Sequence, residues 1–111
     1  MSMLDYAGRI AGAIEADKRY RTAGHLTPVA CSTEGLLAYD RILEAAGYDR
    51  TSARRAQLLG LARQNLGIML KFKAEGGVFI DTRSHPEVRI DFIAHAGLCF
   101  LGYALQAQSR A

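Results

Sequence analysis

The chain has 111 residues, half of them hydrophobic and 23% charged, with a formal net charge of +3. This is globular composition, enough for one domain with a real core, and it excludes a disordered chain or several domains. A small, scattered positive balance gives no ground for a nucleic-acid partner, because phosphate binding needs several cations gathered on one face.

The first predicted helix covers Ser2 to Tyr20. Leu4, Ala7, Ile10, Ala11 and Ile14 recur at helical spacing, and Arg19, Arg21 and Gly24 suit a C-terminal turn. A second helix opens with Thr27 as its cap and Pro28 in the first helical position, where a missing N–H is harmless. Val29, Ala30, Leu36, Leu37, Ile42, Leu43 and Ala46 are its apolar set, and Gly47 ends it. The third runs from Thr51 or Ser52 to about Ala74, with Arg50, Arg54, Arg55, Arg63, Lys71 and Lys73 supplying the charge of a solvated outer face. Its Gly60 and Gly67 predict close approach of a neighbouring helix. Gly76-Gly77 stops it, Val78 to Ile80 reads as a short extended piece, and Asp81 to Pro86 as a polar connection. Pro86, Glu87 and Asp91 then suit the N-terminus of a last helix that carries no charged residue from Phe92 to Gln108.

The expected fold is therefore all-α: residues 1–111 form a single domain of two stacked αα-hairpins, first helix with second and third with fourth. Charge concentrates on the first and third helices, which predicts outer helices shielding an inner second and fourth. No signal peptide is visible, and the uncharged run is shorter than the roughly 20 apolar residues of a membrane span. Cys31 and Cys99 lie outside any CxxC or CxxH unit and read as buried thiols in a reducing compartment. The expectation is a cytoplasmic protein with no membrane association, no metal and no cofactor.

Two stretches carry a family pattern: Thr27-Pro28-Val29-Ala30-Cys31-Ser32-Thr33-Glu34-Gly35-Leu36-Leu37-Ala38-Tyr39, and Gly76-Gly77-Val78-Phe79 with Arg89-Ile90-Asp91-Phe92-Ile93-Ala94-His95-Ala96. They resemble the closing helical hairpins of α/α-toroid proteins, the superfamily of terpenoid-cyclase-like and glycan-processing (α/α)6 enzymes. The resemblance implies that acids at inner-helix N-termini line a central cavity, which would place Glu34, Asp91 and His95 there. A complete toroid has many more helices than this chain has room for. The resemblance thus implies either a part of a larger chain or self-association into a homo-oligomer. A polar ligand such as a glycan fits better than a terpene, since the chain has no Trp and a carbocation cavity needs π faces.

The chemistry centres on Glu34, Asp91 and His95. Asp91 and His95 are four residues apart and share a helical face, so they serve either as an acid/base couple or as a dipole-stabilising acid and a core histidine. Glu34 lies among apolar neighbours, which suits a desolvated acid as well as a favourable charge in an early helical turn. Arg89 is a candidate substrate-binding cation or a structural partner of Glu34 or Asp91. His25, in the loop before the second helix, is the other candidate substrate contact. Two in-register hairpins make the second and fourth helices parallel, which predicts that Glu34, Asp91 and His95 gather at one end around a concavity. The reading is a cavity-lining segment of a toroid enzyme with acid/base chemistry; the alternative is a non-catalytic module that self-associates through an apolar helix face.

Overall fold

The computed structural model describes residues 2–49, 51–73, 79–82, 85–88 and 90–108, with side chains left aside for 81–82, 85–88 and 90–92. The fold is all-α, with four main helices: α1 (Met3–Ala16), α2 (Leu26–Ala45), α3 (Ala53–Met69) and α4 (Ile90–Gln108). Short 3₁₀ turns at Arg19–Thr22 and Leu70–Phe72 follow α1 and α3. A small antiparallel hairpin of β1 (Ile80–Thr82) and β2 (His85–Val88) precedes α4, pairing Ile80 with Val88 and Thr82 with His85. Among the described residues no helix is long and apolar enough to cross a membrane.

Local chemistry sets most helix ends. The Ser2 hydroxyl accepts from the Asp5 amide at 3.1 Å while the Asp5 carboxylate accepts back from the Ser2 amide, a capping box. The helix stops at Ala16, short of the expected Tyr20. Asp17 is extended there, and its carboxylate accepts from the Arg19 amide and side chain, a local bond that competes with further helix. At the end of α2, Gly47 takes φ +99°, the Gly47 amide bonds to the Glu44 carbonyl, and the Tyr48 amide to the Leu43 carbonyl. That is a Schellman closure, available to glycine without Cβ strain. Ser52 caps α3 by accepting from the Arg55 amide at 3.3 Å.

Two starts differ from expectation. The cap of α2 is His25, not Thr27, because Leu26 is fully buried and is drawn into the first turn. Pro28 still falls among the first amides, which have no acceptor within the helix. Pro86 sits in β2, and α4 begins only at Ile90.

The helix at the centre is α2. It runs antiparallel to α1, with Gly8 against Tyr39 and Gly35 against Ile14. Along α2, Ala30, Leu37 and Asp40 meet Cys99, Gly102 and Gln106 of α4 in the same order, so these two helices are parallel. The close approaches are at Gly8, Gly35 and Gly102, where an added Cβ would lie 3.0, 2.9 and 3.3 Å from the neighbour. Gly60 and Gly67 meet nothing within 4 Å, so the expected helix contact there is absent.

The core has two parts. Leu26, Val29 and Ala30 of α2 join Leu66, Met69 and Phe72, Ile80 of β1, and Ala96 and Cys99 of α4. Leu36 and Leu43 join Leu58 of α3, flanked by Leu4 and Ile14 of α1.

Between the three larger helices lies a buried ion cluster. The Arg55 side chain is 1% exposed and donates to the Asp40 carboxylate through Nε at 2.9 Å and Nη2 at 3.1 Å. Arg55 also donates to the Tyr48 carbonyl, and Gln106 Nε2 donates to Asp40 Oδ2 at 2.7 Å. This corrects the placing of Arg55 on a solvated outer face. Spacing along α3 does not announce that its charge is neutralised from α2.

Layering holds for one helix rather than two. While α2 is enclosed, α4 packs one face on α2 and leaves Leu98, Leu101 and Leu105 at 60, 65 and 68% exposure.

Candidate functional site

Glu34 stands in the third turn of α2, and His95 in the second turn of α4. Because the helices are parallel and locked in register, the two side chains meet: His95 Nδ1 is 3.1 Å from Glu34 Oε1 and 3.2 Å from Oε2. A carboxylate only accepts, so Nδ1 carries the hydrogen, and among the described residues no partner bonds to Nε2. Both groups are half-buried, with side-chain exposures of 27% for Glu34 and 39% for His95. The pair is reachable from solvent yet partly shielded from it.

The Glu34–His95 pair lies at one end of a groove of about 410 Å³ between α2 and α4. Glu34, Leu37 and Arg41 line it from α2, and His95, Leu98 and Gly102 from α4. The volume falls in the range of roughly 300–1,000 Å³ typical of small-molecule pockets. Its floor is apolar where Leu37 meets Gly102, and its other end carries the exposed Arg41, two turns or about 10 Å further along α2. Gln106 also borders the groove but turns its amide into the Asp40 cluster.

A third reactive side chain joins the same end. Cys31 precedes Glu34 by three residues on α2, and its thiol, a Glu34 carboxylate oxygen and a His95 ring nitrogen all lie within 4.8 Å of one another. Cys31 is exposed, which corrects the expectation of two buried thiols. Partial burial of the sulfur, and then the Glu34 carboxylate, raise its pKa above the usual thiol value. Cys99 is buried and donates to the Ala30 carbonyl at 3.1 Å. Burial, with the Glu34 charge second, pushes its thiol up to about 12.

Of the residues expected at the site, the fold brings Glu34 and His95 together. Asp91 falls in the first turn of α4, one turn before His95, but its side chain lies outside the described residues. Arg89 lies outside them altogether. His25 is exposed at the N-cap of α2 and does not line the groove. Cys31 and Arg41 carried signals too weak to single them out. Their relation to Glu34, at three and seven residues, is helical spacing, but the partner that gives it meaning is on α4. No family model matches the chain, and neither a curated protein nor a solved structure matches it.

Proposed function

We propose that the groove between α2 and α4 is the polar-substrate cavity of an enzyme of the α/α-toroid kind, acting on a carbohydrate or related polar substrate by acid/base chemistry. The observation that carries this reading is the Glu34–His95 contact at one end of the groove. Glu34 holds the imidazole through Nδ1, which leaves His95 Nε2 as the ring atom to take up and return a proton. Arg41 offers a charged anchor at the far end for a carboxylate, phosphate or polarised hydroxyl. Leu37 and Gly102 supply the flat apolar stretch between them, suited to the C–H face of a sugar ring.

The test is turnover and ligand-observed NMR binding across a panel of aryl glycosides, uronides and short oligosaccharides. His95→Gln and Glu34→Gln are the variants. General acid/base removal costs about 100-fold or more in rate. The expected result is that loss with a melting temperature close to wild type. Unchanged turnover in both variants, or no binding by any member of the panel, overturns the reading.

One observation favours a second reading, a helical module that pairs with another copy. Ala94, Leu98, Leu101 and Leu105 are exposed on α4 at spacings of four, three and four, the seam of a coiled coil. No charge interrupts the helix there. Covering these leucines, six in a symmetric pair, is worth roughly 12 kcal/mol gross at about 2 kcal/mol per side chain. Association costs of about 4–15 kcal/mol offset most of that. A weak, concentration-dependent dimer follows, and Leu101→Lys should abolish it without unfolding the chain. Sedimentation velocity over a broad concentration range decides it, a monomer throughout being the contrary result.

A further inference from the structure

We infer that Cys31, Glu34 and His95 form a binding site for a zinc-class divalent cation. The inference deepens the reading of this end of the groove as a reactive site, but its test needs no substrate.

Three ligand-bearing side chains of different chemistry converge there, with their donor atoms within 4.8 Å of one another. Tetrahedral zinc with bonds of about 2.0–2.3 Å sets its ligand atoms roughly 3–4 Å apart. The Glu34–His95 separation of 3.1 Å already lies at that spacing. The remaining adjustment falls on Cys31, which is exposed and has room to turn about its single side-chain torsion. Sulfur, imidazole nitrogen and carboxylate oxygen together suit zinc and its borderline neighbours. Calcium and magnesium, which take oxygen ligands, are poorly served.

The scaffold holds the three in place. Cys31 and Glu34 are one turn apart on α2, so their spacing is set by the helix itself. His95 comes from α4, whose register on α2 is fixed by the Cys99 hydrogen bond to Ala30 and by the Gln106 bond to Asp40. Three protein ligands leave a fourth position open, and the groove lined by Leu37 and Leu98 lies beside it. An open position is the mark of a catalytic rather than a structural zinc site. To hold a cation, the Cys31 thiol would give up its proton to solvent and the His95 hydrogen would move from Nδ1 to Nε2, so that metal bonds would replace the direct Glu34–His95 contact. The cation would supply Lewis-acid activation at the end of the groove.

The test uses the full chain, reduced and stripped of metal with a chelator that is then removed. Co2+ is titrated as an optical probe and Zn2+ by calorimetry. The expected result is one equivalent of Co2+ per chain, with a thiolate-to-cobalt charge-transfer band in the near ultraviolet and strong visible bands of tetrahedral cobalt, all displaced by Zn2+. Cys31→Ser should remove the charge-transfer band, and His95→Gln should weaken Zn2+ binding by about 100-fold or more. His25→Gln should change neither, with circular dichroism confirming that each variant is folded. Absence of both the cobalt bands and the zinc heat in the folded, reduced wild type overturns the inference, as does a charge-transfer band that survives Cys31→Ser. Loss of glycoside turnover in His95→Gln without any metal binding would remove the cation and leave the acid/base reading standing. Metal binding without any turnover would do the reverse.

Discussion

The contact between α2 and α4 carries two polar clusters of similar composition and opposite character. At one, Asp40 is fully buried and accepts from Arg55 twice and from Gln106 once, while Arg55 spends a further N–H on the Tyr48 carbonyl. At the other, Glu34 and His95 are half-exposed and meet each other beside the Cys31 thiol. An acid and a cationic partner do different work in the two places. Saturated and dry, the first is a fastener whose loss strands a charge in the interior. Accessible and sparsely bonded, the second has lone pairs and protons to exchange with a ligand. Burial and partner count separate structure from chemistry here, not residue type.

The largest expected effect comes from the fastener. Arg55→Ala leaves the Asp40 carboxylate buried with only Gln106 to answer it, and should cost about 3–5 kcal/mol by analogy with broken buried pairs. Urea denaturation measures this, and a loss under about 1 kcal/mol would erase the contrast between the two clusters.

Cys99, buried against Ala30 one turn past His95, makes the next test a matter of pH. Its folded pKa is raised from 9.0 to about 12, so the unfolded chain releases this proton first as pH rises. The stabilisation is therefore fully present below pH 9 and is lost as pH climbs towards 12. Denaturation midpoints should fall across that window, and fall less in Cys99→Ala. In the same comparison Cys31 should react with an alkylating reagent in the folded protein while Cys99 does not. Labelling of both at equal rates would contradict their placement.

A smaller effect tests the helix that was expected to be crowded. Gly60 meets nothing within 4 Å, so Gly60→Ala should raise stability by up to about 1 kcal/mol through helix propensity alone. A destabilised variant would restore the close contact that the fold lacks.

The smallest effect on stability is expected at the site. Glu34→Gln removes one half-exposed partner and should change unfolding by less than about 1 kcal/mol. A loss approaching that of Arg55→Ala would make the Glu34–His95 pair a second fastener.

Much of the architecture was legible because its causes are local. The start of α3 at Thr51 or Ser52 and Gly47 as the end of α2 each depend on bonds spanning only a few residues, and the all-α class follows from hydrophobic periodicity. The end of α1 was misplaced by a neighbouring local bond, the Asp17–Arg19 turn, which is equally written in the chain but is outweighed in a periodicity reading by the apolar set before it. The start of α2 was set by burial of Leu26, and burial is a property of the packed molecule.

By itself the sequence determined where helices form, that four of them pack as an all-α unit, and that Glu34 and His95 sit in early turns of apolar helices. Those facts rest on propensity, caps and periodicity, each acting within one turn or two. Only the tertiary structure decided that Glu34 meets His95 across 61 residues, that Cys31 joins them, that Arg55 is buried against Asp40, and that the leucines of α4 face outward. Each of these depends on the register and relative rotation of two helices. A single chain position carries no record of what stands opposite it.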